Sequence, residues 1–174
     1  VFANGGYLVT PHVVERVTDA TGREVLRTDA PVACVDCPGT TAAPLAITPA
    51  NAYVMTDMMT DVINRGTAQA ALSLGRRDLA GKTGTTSDRR DAWFVGYNAD
   101  VVAAAWIGFD QERSLGENEE GGRTALPMWI YFMQEALRDR PEHRSPEPPG
   151  LVRMWVSRST GLPTSAGGSA GGPR

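Results

Sequence analysis

Apolar residues recur at helical spacing in two stretches of the chain and alternate or run together in several others. Over residues 48–66, Val54, Met55, Met58, Met59, Val62 and Ile63 form a stripe at i, i+4, i+8. Thr48 suits an N-cap, Pro49 the first helical position and Gly66 a C-terminal stop. The spacing predicts a helix that packs by its Met-rich side. Residues 124–140 predict a second helix. Pro127 falls in its first turn, Ile130, Phe132, Met133, Ala136 and Leu137 supply the inward face, and Pro141 ends it. Between the helices lie three strand candidates, residues 78–84, 92–97 and 101–109. The short Asn98-Ala99-Asp100 turn predicts that the last two pair antiparallel. The third strand is almost wholly apolar, which predicts burial on both faces and helices on both sides of the sheet. Toward the N-terminus, residues 13–18 and 24–27 flank Asp19-Ala20-Thr21-Gly22 and predict a small hairpin. A second is expected from residues 152–156 and Ser159-Thr160-Gly161. The opening run through Asn4-Gly5-Gly6 reads as the end of a helix.

The remaining stretches are loops. Residues 28–47 are rich in Pro, Ala and Thr, and 111–123 are acidic and Gly-rich. Residues 141–174 are expected to be a Pro/Gly-rich linker, a short strand and a disordered tail. Residues 1–140 are then the folded part. A chain of 174 residues is one domain's worth and needs no metal or disulfide to build a core. The net charge of -3 argues against nucleic acid as the partner, and no apolar run approaches the roughly 20 residues of a membrane span. The chain opens on Val1 and is expected to belong to something longer. Of its 17 basic residues, 16 are Arg. Lys82 is the one lysine, so any chemistry that needs a lysine must use it.

That lysine sits in Leu79-Ala80-Gly81-Lys82-Thr83-Gly84-Thr85-Thr86. Flanking glycines let another backbone approach without a Cβ clash. Strand alternation puts Thr83 and Thr85 on one face and Lys82 and Gly84 on the other. The set suits an extended ligand that pairs with the strand edge and ends in a carboxylate, held by hydroxyls and an ammonium. The plain alternative is a strand end with a solvated lysine. Cys34 and Cys37 are open to three readings: a local disulfide, free thiols, or a redox or metal pair. Zinc is disfavoured because His12 and His143 lie in unrelated contexts. No Gly-x-Ser-x-Gly elbow supports a Ser-His-Asp hydrolase. Asp57 and Asp61 read as the solvated side of the first helix, residues 117–120 as an acidic loop without calcium-loop spacing, and Trp93 and Trp106 as packing residues. No cofactor or metal is called for.

Lys-Thr-Gly is one of three elements shared by penicillin-binding proteins and class A β-lactamases. Residues 76–86, then Asp91-Ala92-Trp93-Phe94-Val95-Gly96-Tyr97 and Ala105-Trp106-Ile107-Gly108-Phe109-Asp110, resemble the transpeptidase domain of class A, bifunctional penicillin-binding proteins. So do Thr48 to Met55 with Arg65-Gly66-Thr67, and Phe2-Ala3-Asn4-Gly5-Gly6. The resemblance covers roughly residues 1–140. It implies an α+β fold, a five-stranded antiparallel sheet sandwiched by helices, of which this chain supplies the C-terminal strands and helices. It implies a serine D,D-transpeptidase of bacterial cell-wall cross-linking, acting on stem peptides ending in D-Ala-D-Ala and trapped by β-lactams. Lys82, Thr83, Gly84, Thr85 and Thr86 become the substrate-binding strand. Lys82 sets electrostatics and proton traffic, Thr83 and Thr85 meet the substrate carboxylate, and the Thr85 N–H is an oxyanion donor. It further implies a periplasmic location at the inner membrane, through an anchor upstream, and in that oxidising compartment a Cys34–Cys37 disulfide is favoured.

The pattern is also incomplete. Ser-x-x-Lys needs a lysine, and the residue three before Lys82 is Leu79. Ser-x-Asn is absent, and neither Ser73-Leu74-Gly75 nor Ser87-Asp88-Arg89 matches it. No nucleophile is therefore assigned in this chain. The expectation is a C-terminal part of a transpeptidase domain whose partner is the remainder of that domain. The alternative is a non-catalytic remnant or a module that binds D-Ala-D-Ala peptides or β-lactams. Without the upstream helices one face of the sheet would be bare, and the isolated chain is expected to be poorly soluble or molten.

Overall fold

A computed structural model of the chain describes residues 1–34, 38–39, 41–157 and 159–165. Helix α1 runs over Pro49–Asn64, and Thr48 caps it by accepting a hydrogen bond from the Asn51 N–H at 3.2 Å. A 3-10 helix over Gln69–Leu74 follows. Three strands come next: β3 over Ala80–Thr85, β4 over Asp91–Tyr97 and β5 over Val102–Gly108. Helix α2 over Ala125–Ala136 closes the body. The hairpin expected near the N-terminus forms from β1 (Arg16–Thr18) and β2 (Glu24–Arg27). Asp19 organises its turn, accepting from the Thr21 and Arg23 N–H groups at 2.9 and 3.0 Å. At the start of the chain, Gly6 N–H bonds the Val1 carbonyl at 2.9 Å, the closure that ends a helix.

The main sheet has the order β3-β4-β5, antiparallel throughout. One face is covered by α2, the 3-10 helix and the C-terminal end of α1. Phe94 and Ala92 from β4 and Ala105 from β5 meet Ile63, Leu79, Leu126, Trp129 and Met133 there. Trp129 is the largest fully buried side chain. Its ring packs edge-on to Phe94 at 4.9 Å, and its indole N–H is shared between the Gly96 and Ala103 carbonyls at 3.3 and 3.2 Å. A buried indole needs such a partner, and β4 and β5 supply two.

The other face is bare across β5 and the middle of β4, which corrects the expectation that β5 is buried on both sides; only its Ala80–Tyr97 end is covered, where the Tyr97 hydroxyl meets Thr56 of α1. Val102 and Trp106 are exposed there beside Trp93 and Val95 of β4. The two tryptophan rings lie 6.0 Å apart. The apolar run of β5 is built for two covers, and the described residues supply one. Two further corrections concern the helices. Val54 and Met58 of the α1 stripe are exposed, and the buried residues of α1 are Ala52 and Ile63. In α2 Phe132 points outward, while Ala125, Leu126 and Trp129 are buried with Met133. The strand expected over residues 152–156 reduces to one isolated bridge, Val156 with Pro163.

Residues 137–149 carry no regular helix or strand beyond a turn, yet their path is fixed by β3's approach. Arg76 clasps Asp78 through two hydrogen bonds, Nε to Oδ1 at 2.9 Å and Nη2 to Oδ2 at 2.6 Å. The same guanidinium donates to the Arg140 and Pro141 carbonyls at 2.8 and 3.1 Å. Asp78 Oδ2 also accepts from Asn98 Nδ2 and the His143 N–H, both at 3.0 Å. The Asp78 side chain is 0% exposed. A cavity of about 510 Å³ lies alongside, between Tyr53 and Thr56 of α1, Tyr97 and Pro146. Thr56 and Tyr97 join hydroxyls across it at 2.8 Å. The Cys34–Cys37 pairing and the disordered tail expected within residues 141–174 fall at least partly outside the described residues.

Candidate functional site: the free edge of β3

β3 pairs with β4 on one side and has no strand on its other side among the described residues. The register is Lys82 with Val95, Thr83 with Phe94, Gly84 with Trp93 and Thr85 with Ala92. Thr83 and Thr85 therefore share the covered face with Phe94, and Lys82 and Gly84 share the bare face with Trp93 and Val95. The first bond beyond the strand, Thr86 N–H to the Asp91 carbonyl at 3.1 Å, fixes which pairs are hydrogen-bonded. Antiparallel pairs alternate, so the backbone groups of Thr83 and Thr85 point away from β4, toward the open edge. That edge offers an extended ligand one N–H and one C=O at each of these two residues.

The side chains gather at the same edge. Lys82 is exposed and its Nζ donates to the Thr83 carbonyl at 2.9 Å, with the Thr83 hydroxyl at 3.4 Å. Thr83 Oγ1 is 2.8 Å from Thr67 Oγ1, which enters from the turn after α1. Thr85 Oγ1 accepts the Gly121 N–H at 3.1 Å. Gly121 lies flat on the strand pair: a Cβ there would stand 2.2 Å from the Trp93 carbonyl oxygen and 2.5 Å from that of Gly84. Only glycine fits, and the end of the acidic loop is thereby pressed onto the strand that carries Lys82.

Thr86 is placed differently from its two neighbours. Its hydroxyl accepts the Asp91 N–H at 2.8 Å and donates to Asp91 Oδ2 at 3.4 Å. Asp91 in turn accepts the Trp106 indole N–H at 2.9 Å. Thr86 thus closes the β3–β4 turn. Gly84 lies against Trp93 on the bare face, where a Cβ would meet the Trp93 Cβ at 3.2 Å. From sequence Gly121 carries no site role, nor does Thr67 beyond its place in the Arg65-Gly66-Thr67 block of the resemblance. The signals were present, a Gly-Thr directly after a helix and a Gly-Gly directly before one, but each is common and neither names a partner. Among the described residues no group of three His, Cys, Asp or Glu side chains is arranged to hold a metal, and no helix is long and apolar enough to cross a membrane.

A sheet edge with a lysine, two clustered hydroxyls and outward backbone groups, backed by helices on one face, is the arrangement of the penicillin-binding and β-lactamase-like fold. The comparisons agree. Residues 1–122 match the penicillin-binding protein transpeptidase domain. Penicillin-binding protein 1A of Pseudomonas aeruginosa is 40% identical over 206 residues, covering 96% of this chain and 25% of that protein. Its namesake in Neisseria lactamica is 47% identical over 152 residues, covering 87% of this chain and 18% of that one. The crystal structure of penicillin-binding protein 1A from Haemophilus influenzae superposes with a TM-score of 0.89 at 30% identity, over 99% of this chain and 30% of that one. The chain belongs to the penicillin-binding protein transpeptidase family. It spans a quarter or less of the length of these two sequence relatives.

Proposed function

We propose that this chain forms the substrate-clamping wall of a peptidoglycan D,D-transpeptidase. The observation that carries the reading is the open edge of β3, where Lys82, Thr83 and Thr85 converge with outward backbone groups. A stem peptide ending in D-Ala-D-Ala lies along this edge as an added strand. Its terminal carboxylate takes hydrogen bonds from the Thr83 and Thr85 hydroxyls, and the Lys82 ammonium supplies the balancing charge. A serine from the remainder of the domain attacks the penultimate carbonyl. The Thr85 N–H, turned to the open edge, donates to the oxygen as negative charge builds on it. The bond to the terminal D-Ala breaks, that residue leaves as an amine, and an amine of a neighbouring strand displaces the serine. β-Lactams present the same carbonyl and carboxylate and stop at the acyl-enzyme. The reaction sits on the periplasmic side of the inner membrane.

The test is covalent labelling by a fluorescent penicillin. The chain alone carries no acylable serine of the family's motif and stays unlabelled. Joined by the serine-bearing part of the domain, it labels, and Lys82→Ala lowers the labelling rate about 10- to 100-fold, the worth of a hydrogen bond to a charged group. Binding of penicillin without acylation in the complemented protein would favour a non-catalytic binding module. Unchanged labelling in Lys82→Ala would remove Lys82 from the site.

A further inference from the structure

Thr83 has one hydroxyl proton and two polar neighbours. Thr67 Oγ1 lies 2.8 Å from its oxygen and Lys82 Nζ lies 3.4 Å away. A hydroxyl accepts twice and donates once, and an ammonium only donates. Between the two threonines either hydroxyl is able to donate. If Thr83 donates to Thr67, it turns a lone pair to the open edge, which repels a carboxylate. If Thr67 donates to Thr83, both acceptor positions on Thr83 are filled, and its proton is left for the open edge. We infer that Thr67 is a positioning residue that makes Thr83 a dedicated donor to the anionic end of the ligand. This rests on the transpeptidase reading and deepens it.

The chain holds Thr67 where this requires it. Gly66 turns back on the last turn of α1 so closely that a Cβ would lie 2.8 Å from the Val62 Cα. Ala68 is 0% exposed, and its N–H bonds the Val62 carbonyl at 3.0 Å. On the other side Gly122 comes so near that a Cβ would stand 2.6 Å from the Thr67 carbonyl oxygen. Pinned on both sides, Thr67 keeps its hydroxyl on Thr83. Thr85 is treated in parallel, since the Gly121 N–H fills one of its acceptor positions.

The test compares Thr67→Val and Thr67→Ser with the native residue in the chain complemented by the serine-bearing part of the domain. Each is acylated by a penicillin carrying its free carboxylate and by the same penicillin as its methyl ester. The readout is the ratio of the two acylation rates, which does not depend on the fraction of protein that is folded. The native protein prefers the carboxylate. Thr67→Val lowers that preference about 10-fold, the upper range for one neutral hydrogen bond, and Thr67→Ser restores it to within about threefold of native. A valine variant that slows both penicillins equally, or neither, overturns the positioning role while leaving the transpeptidase reading intact. A native protein that labels with neither overturns both.

Discussion

Asp78→Ala is the substitution whose cost follows most directly from the geometry. The carboxylate accepts four hydrogen bonds, two from Arg76 and one each from Asn98 and the His143 N–H, and is fully buried. The Arg76 side chain is only 12% exposed. Removing Asp78 leaves that largely buried guanidinium with two carbonyls and only the weaker influence of the Glu142 and Asp100 charges. Breaking a buried pair by deleting one partner costs about 3–5 kcal/mol. At about 1.4 kcal/mol per factor of ten, the clasp opens at least 10²-fold more often. The assay is amide hydrogen exchange on the complemented domain, read at residues 140–144 and Ala80–Thr85. Protection at the His143 amide should fall by that factor, with β3 following because its approach is tied to the same carboxylate. Burial alone would raise the Asp78 carboxyl. The hydrogen bonds from Arg76, Asn98 and His143 and the Arg76 charge more than reverse this, so its folded value lies below the usual 3.8. A carboxyl lowered on folding contributes stability that is complete above the ordinary value and is lost as pH falls through the lowered one. Native protection should therefore show an acid step below the ordinary carboxylate range, and Asp78→Ala should lack it. Exchange at His143 within about threefold of native would refute the clasp.

The other perturbations test packing rather than charge. Gly121→Ala drives a methyl into the Gly84 and Trp93 carbonyls and should cost about 1–3 kcal/mol as overpacking, measured by urea unfolding of the complemented domain, with a loss of penicillin labelling that Glu117→Ala, at an exposed position of the same loop, does not cause. The isolated chain should be poorly soluble or melt without cooperativity, and Trp93→Ser with Trp106→Ser should raise its solubility in a centrifugation assay while lowering the yield of complemented domain. A sharp melt of the native monomer, or a double variant that complements normally, would show that this face needs no cover.

Much of the body was legible because its signals are local. Thr48-Pro49 announces the start of α1, and Asn98-Ala99-Asp100 announces the β4–β5 turn. Alternation along residues 80–85 by itself separates Lys82 from Thr83 and Thr85. What escaped depends on residues far apart in the chain. The Met stripe of α1 has helical period, yet period does not say which element arrives to cover it, and Val54 and Met58 face outward. Trp129 is hidden in a helix that is apolar almost all round, where one face cannot be chosen from sequence. The Arg76–Asp78 clasp reaches His143, 65 positions further along the chain, and Thr67 meets Thr83 across the gap between a helix end and a strand.

The bare face of the sheet and the open edge of β3 are two consequences of one arrangement. Lys82 belongs by alternation to the bare face, with Trp93 and Val95, yet its ammonium bends to the Thr83 carbonyl at the open edge. A charged group that bridges a face and an edge is held only by solvent-exposed contacts while that face is uncovered. Cover the face with apolar helices and the ammonium loses its water on one side, so its attraction for a carboxylate at the edge strengthens as the local dielectric falls. The segment that completes the sheet would thus do more than bring a serine. On the proposed reading it would turn Lys82 from a solvated surface lysine into a site charge, so that the strand, its lysine and its two threonines would hold a carboxylate more tightly once the second cover is in place.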